Sequence, residues 1–392
     1  MDSFASRFDY KARAVPVNYR HRFTQGRQSV SDYALLANDL EQPNTIHEEN
    51  NYLPTARQLD LLRADYADNS PSQGTVETLA ADYLAENCQS AISYNQSPDV
   101  PFDRSVNPYR GCEHGCVYCF ARPSHAYLDF NPGLDFETKI VYRPNIVTQL
   151  ERDFKHKHYQ AKPLAIGMNT DAYQPLEKKY RLTRQILELC LKYRHPVTLL
   201  TKSTLIQRDI DLLSALASEN LVHAGVSLTS LDPRLKNALE PRASSASSRL
   251  KTLRLLASAG VPTFAMLAPI IPALNDCEIE KMLEQVKLAG VNQAQFIMLR
   301  LPYELKPIFT DWLNKHYPYK QQKVLSYLKD IRDGGLNNSE FGLRMKGSGA
   351  IAQIIAARFK LACKKFAINS HSLPPLNSES FIYSAPKQMR LI

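Results

Sequence analysis

Three of the chain's seven cysteines fall within "RGCEHGCVYCFAR", residues 110–122. Cys112 and Cys116 are separated by three residues, and Cys116 and Cys119 by two. Thiolates this close together bind zinc or an iron–sulfur cluster. A structural zinc site takes four ligands, usually as two separated pairs, and only three cysteines cluster here. His114 is available as a fourth ligand, but it sits between two of the cysteines, where the loop would have to fold back sharply. Three thiolates on one loop fit a four-iron cluster better: they hold three irons and leave the fourth open to a substrate or cosubstrate. The remaining cysteines offer less. Cys190, beside Leu189 on the apolar side of an expected helix, and Cys363, in "IAARFKLACKKF", read as core residues. Cys88 and Cys277 have no metal-like neighbours. An odd count with three clustered is a poor disulfide framework, and it suits a reducing compartment.

The elements that must position this loop follow it in the chain. Apolar strand-like runs, "PLAIGMN" (163–169), "HPVTLLT" (195–201), "VHAGVSLT" (222–229), "VPTFAMLAP" (261–269) and "AQFIMLR" (294–300), alternate with helical stretches. In the first of these helices Leu182, Ile186, Leu189 and Tyr193 recur at spacings of four, three and four, one face of a helix. A second helix is expected near 205–218, a third ending at Gly260 as its C-cap, and a fourth over "NDCEIEKMLEQVKLAG". Repeated βα units of this length imply a parallel α/β sheet, open or barrel-like, of about six strands if one precedes the cysteines. In such barrels chemistry sits on the loops at the C-terminal ends of the strands, and the three cysteines lie in one of them. Residues 1 to about 75 are polar and irregular, and a helix is expected over 76–93.

Hydrophobic residues make up 44% of the 392-residue chain, enough for a sizeable core. No apolar run of about 18 residues occurs, so no membrane-spanning helix is expected. The N-terminal residues carry no apolar core of a secretory signal, and Asp2 and Asp9 do not suit an organellar transit peptide. The expected location is cytoplasmic, with no membrane partner. A net charge of +9 favours an anionic partner. Residues 341–378 contain no acid but six cations, Arg344, Lys346, Arg358, Lys360, Lys364 and Lys365. They read either as a phosphate-tracking surface or as the solvated face of a helix with Ile351, Ile355, Ala362 and Phe366 inward.

The cysteine spacing, with Tyr118 just before the third cysteine, resembles the radical S-adenosylmethionine (SAM) motif. The stretches "NPYRGCEHGCVYCFAR", "GLDFETKIVY", "NTDAYQPLEKKYRLTR", "LTKS", "VSLTSLDPRLKNALEPRA", "APIIPALND" and "LRLP" together resemble the spore photoproduct lyase-like branch, whose members are often labelled DNA repair photolyases. The resemblance implies a partial (βα)6 TIM-like barrel over 99–302, an irregular N-terminal extension over 1–98 and a helical C-terminal extension over 303–392. It implies a [4Fe-4S] cluster on Cys112, Cys116 and Cys119, with SAM on the open iron. One electron would then cleave SAM to a 5′-deoxyadenosyl radical that abstracts hydrogen from the substrate. An electron donor such as flavodoxin or ferredoxin follows from that chemistry. The implied substrate is a DNA lesion or modified nucleotide. The rival readings are radical modification of a protein or small molecule, and a non-enzymatic, metal-stabilised nucleic-acid-binding module.

The same resemblance assigns residues. Asn169, Thr170 and Asp171 follow the second strand, where polar groups meet the SAM amino group; Asp171 would serve equally as a helix N-cap. Lys202 and Ser203 follow the third strand, where an ammonium meets the SAM carboxylate. Ser227 and Thr229, on or just after the fourth strand, are placed to touch the ribose. Arg249 resembles an arginine that pairs with the SAM carboxylate, or is an ordinary helix-surface arginine. Tyr118 is expected near the adenine. Spore photoproduct lyase uses a further cysteine, soon after the cluster motif, as hydrogen donor. None occurs here between Cys119 and Cys190, a departure from the lyase pattern.

Overall fold

A computed structural model describes residues 13–15, 19 and 80–383. The expected irregular segment before residue 75 therefore lies almost wholly outside the described residues. Its described part packs on the body of the protein: Val15 is buried, and Arg13 donates to the backbone oxygen of Glu137 at 2.8 Å.

The main sheet has six parallel strands lying side by side in chain order: β3 (Arg104–Val106), β6 (Leu164–Ile166), β7 (Val197–Thr201), β8 (Val222–Ser227), β9 (Thr263–Ile270) and β10 (Ala294–Met298). A short antiparallel strand, β2 (Ile92–Tyr94), extends the β3 edge. Helices separate the strands of this succession, and a singly wound parallel sheet with its helices outside closes toward a barrel. The sheet is thus the expected six-unit partial barrel.

The βα units form where periodicity places them. Leu182, Ile186, Leu189 and Tyr193 all face inward on helix Leu182–Tyr193, with Cys190 beside them. Later crossovers use helices Ile210–Ala217, Ala246–Ser258 and Ile279–Leu288. Strands β6, β8 and β9 are buried on both sides, as in a parallel sheet covered by helices, while the edge strand β10 is buried only at its ends.

Two local expectations change. Within 76–93, the described residues hold no helix but two short strands, β1 (Asp82–Ala85) and β2. With β4 (Tyr109–Arg110) and β5 (Lys139–Tyr142), β1 forms a small second sheet in the order β1-β5-β4. Open strand edges on β5 and β3 outweigh the weak local helical pattern. The C-terminal helix, Gly349–Lys365, buries Ile355 and Ala362 and half-buries Ile351 and Phe366. It runs antiparallel to β10: Ser348 N–H donates to the Ile331 oxygen near the end of β10, and Asn369 N–H donates to the Asn292 oxygen near its start. Lys364 and Lys365 therefore lie at the opposite end of the barrel from the cysteines, while Arg344 lies at the same end.

Candidate active site

The cysteine loop emerges after β3 and β4, at the C-terminal ends of the parallel strands. Gly115 turns it at φ +67°, and a Cβ there would lie 2.7 Å from a Glu137 carboxylate oxygen. Arg122 holds the loop from beneath. Its guanidinium donates to the Cys116 oxygen at 2.9 Å, the Pro132 and Gly133 oxygens at 3.1 and 2.8 Å, and Glu137 at 2.5 Å. Gln174, from the loop after β6, holds it from the side, accepting from Glu113 N–H and donating to the Gly111 oxygen. Cys112 and Cys116 are buried and Cys119 half-buried, and all three are free thiols.

Burial pushes the Cys112 thiol well up, and nearby Asp171 adds to this. Cys116 is raised to about 12 by burial and then by Glu240. The chain by itself thus disfavours the thiolate, the form that binds metal. A cationic metal centre would supply the missing compensation, and three free thiols on one loop are the donor chemistry it takes, although among the described residues no three such side chains are already gathered around one metal position.

Asp171 joins three elements. Its carboxylate accepts from Thr201 Oγ1 at 2.6 Å, the Lys202 N–H at 2.8 Å and the Tyr173 N–H at 2.9 Å, and lies 3.3 Å from His114 Nδ1. Burial would raise its pKa, but His114 and the hydrogen bonds outweigh burial and hold it well below the usual carboxylate range. Thr170 donates to the Tyr109 oxygen at 2.9 Å, and Asn169 is exposed. Ser203 caps the turn that follows, accepting from Leu205 N–H, and opens onto a cavity of about 320 Å³ beside His114 and Arg242.

A second buried network centres on Glu240. Its carboxylate accepts from Tyr118 Oη, from Thr229 Oγ1 at 2.5 Å and from Arg249 Nη2. The other Arg249 nitrogens donate to the Ser244 and Ser227 oxygens at 2.9 and 3.1 Å. Arg249 is therefore an internal ion-pair partner rather than a surface arginine, with three of its five N–H donors taken up in this network. Burial would raise the Glu240 pKa, yet Arg249 and Lys202 bring it down to about 2. Lys202 points toward the same centre, with its ammonium 5.8 Å from the Tyr118 ring centroid. Burial opposes its charge, but Cys116 and Glu240 raise its pKa above the ordinary value. Asn275 ties the ends of β8 and β9 together through the Thr229 and Pro269 oxygens at 2.8 and 2.9 Å.

The structure thus gathers Tyr118, Lys202, Ser227, Thr229 and Arg249 around one buried carboxylate. It places Asp171 at the junction of the cysteine loop with the β6 and β7 ends. Glu240, Arg122, Glu137, Gln174 and Asn275 carry this arrangement without having been singled out from the sequence. Each lies in a stretch quoted for the resemblance, and a polar residue flanking a cysteine loop or strand end was the available signal.

The comparisons agree with this geometry. Residues 106–286 match the radical SAM superfamily. An uncharacterized protein of Mycobacterium tuberculosis is 36% identical over 236 residues, 59% of this chain and 69% of that one. An uncharacterized protein of Methanocaldococcus jannaschii is 30% identical over 214 residues, 54% and 76% of the two chains. Among solved structures, a point mutant of spore photoproduct lyase aligns with a TM-score of 0.52 at 15% identity, covering 79% of this chain and 91% of that one. A second such mutant aligns with a TM-score of 0.50, covering 72% and 78%. The chain belongs to the radical SAM superfamily, and it is an enzyme. Its likeness to the lyase is one of fold.

Proposed function

We propose that the chain binds a [4Fe-4S] cluster on Cys112, Cys116 and Cys119 and uses SAM to start radical chemistry on a nucleic-acid substrate, a DNA lesion or modified nucleotide. The observation that carries the first part is three free thiols on one loop, at the C-terminal face of a six-stranded parallel barrel, beside the half-buried Lys202 ammonium. With SAM bound, the cluster supplies the electron that yields a 5′-deoxyadenosyl radical.

The chain's residues hold and orient. The Lys202 ammonium makes no hydrogen bond among the described residues, which leaves it free for the SAM carboxylate. Glu240, fixed by Arg249, holds the Tyr118 ring against the β8 end, where adenine or ribose would pack. Asp171 positions His114 and the β7 end and spends both oxygens in doing so; exposed Asn169 is the freer group for the SAM amino end. The nucleic-acid part draws support from the net charge of +9 and from the lyase-like fold. The same reading takes a flavodoxin- or ferredoxin-like protein as electron donor and a cytoplasmic setting; no described helix is long and apolar enough to cross a membrane.

Anaerobic reconstitution tests this. The brown protein should hold about four iron per chain, as one cubane requires. Reduced with dithionite, it should convert SAM to 5′-deoxyadenosine. Replacing Cys112, Cys116 or Cys119 with Ala should abolish both. One tightly held zinc with no reconstitutable iron would refute the cluster, and turnover of a peptide but of no lesion-bearing oligonucleotide would refute the substrate class.

A further inference from the structure

Arg300 stands just beyond the C-terminal end of β10, on the same face as the cysteines. Its side chain is half-buried, and among the described residues it makes no hydrogen bond and no ion pair. Other arginines of this face are satisfied internally: Arg122 by Glu137, Arg249 by Glu240, Arg242 by Glu113, and Arg332 by the oxygens of Met298, Leu299, Leu343 and Arg344. Arg344 pairs with Asp99 and with Ser97 Oγ. The second Asp99 oxygen accepts from Gly342 N–H at 2.7 Å. Asp99 thus pairs with Arg344 and supports the Arg300 charge only at a distance, while burial first and then neighbouring Arg344 press against that charge and outweigh it. A partly desolvated guanidinium with no counter-ion is costly, and an incoming anion relieves that cost.

The surroundings say what carries the anion. The Arg300 guanidinium lies 5.5 Å from the centroid of the Phe120 ring, which is 49% exposed. Arg344 lies 4.6 Å from the centroid of Phe341, also exposed, and Tyr303, three residues beyond Arg300, is exposed too. Single exposed aromatics are ordinary. Two of them against arginines, with a third three residues along the chain, make a stacking surface with cationic flanks of the kind single-stranded nucleic acid uses. Tyr118 and Phe120 bracket Cys119, with Tyr118 directed to Glu240 near β8 and Phe120 to Arg300 at β10. The cysteine loop therefore offers one aromatic to the SAM side and another to the opposite edge.

We propose that Arg300 and Phe120 form a nucleotide site at the β10 edge of the barrel, Arg300 binding a backbone phosphate and Phe120 stacking a base that is single-stranded or flipped from its duplex. This rests on the nucleic-acid reading above and assigns it a place: the barrel mouth, away from Lys364 and Lys365.

The test is equilibrium binding of a fluorescent four-nucleotide oligothymidylate to the full-length reconstituted protein, beside thymidine and a Tyr-Glu dipeptide. Arg300→Ala should weaken oligothymidylate binding about ten- to a hundred-fold, as loss of a charge-assisted hydrogen bond does. Its salt dependence should fall by about 0.7 in log–log slope, the share of one phosphate on a single strand, with thymidine affinity unchanged. Arg300→Lys should restore part of the affinity, and Phe120→Ala should weaken both oligothymidylate and thymidine. Iron content and SAM affinity equal to wild type certify the fold of each variant, with Arg300→Gln replacing any variant that fails this check. Wild-type protein that binds no oligothymidylate at low salt, or prefers the dipeptide, overturns the proposal. So does an Arg300 variant with undiminished binding. SAM cleavage by the wild type is scored separately, so failure of the radical chemistry is not confused with failure of this site.

Discussion

Glu240→Gln is the most informative single change, because one buried carboxylate holds three partners. Arg249 is about as buried as Glu240, so removing the negative charge strands a guanidinium in the interior. Breaking such a pair costs about 3–5 kcal/mol. The pKa gives a second route to the magnitude. Folding lowers the Glu240 carboxyl from 4.5 to about 2, and at about 1.4 kcal/mol per pH unit that is about 3 kcal/mol. The sign follows from the direction. A depressed carboxyl stabilises the fold above its unfolded pKa, and the contribution is lost as pH falls from about 4.5 toward 2. Urea unfolding of the metal-free protein should show the variant's midpoint lowered by about 1–1.7 M at pH 7, taking about 3 kcal/mol per M. The gap to wild type should narrow as pH falls below 4.5. The double variant Glu240→Gln with Arg249→Met should be more stable than Glu240→Gln alone, since no charge is then left unpaired. A midpoint within 0.3 M of wild type, written as about 1 kcal/mol at that slope, or a gap that stays constant down to pH 3, would refute the reasoning.

Three further outcomes follow from neighbouring contacts. Gly115→Ala should destabilise the fold by about 2 kcal/mol or more and lower iron loading, since a Cβ at φ +67° meets the Glu137 carboxylate; iron content and urea midpoint check this. Lys202→Met should leave iron content intact but weaken SAM binding about ten- to a hundred-fold, measured by calorimetry. Arg332→Met leaves the Met298, Leu299, Leu343 and Arg344 oxygens without their donor. It should cost about 3 kcal/mol and release the segment after residue 333 to protease, read by limited digestion and mass spectrometry.

What the sequence made legible was whatever depends on residues near one another in the chain. Strands β6 to β10 appear because each apolar run is bounded by a helical stripe such as Leu182, Ile186, Leu189 and Tyr193. The cysteine loop appears because three thiols at that spacing have few other uses. Partnerships across the fold stayed hidden. Arg249 read as a ligand for SAM or as a surface residue, and neither reading includes a carboxylate nine positions back that the helix-to-helix turn folds beneath it. The acid-free stretch 341–378 read either as a phosphate-tracking surface or as the solvated face of a helix. Its Arg344 is answered by Asp99, 245 residues away, and its Arg358 by Glu280, 78 residues away. Arg300 is the converse: in "LRLP" it looks like any strand-end arginine, and only the folded chain shows that Asp99, the acid whose charge reaches it, pairs with Arg344 instead. Charge counted along the sequence therefore does not separate cations that the fold pairs from cations that it leaves open. Among the described residues Arg300 is a half-buried cation without an ion pair, and it lies on the same face of the barrel as the cysteines.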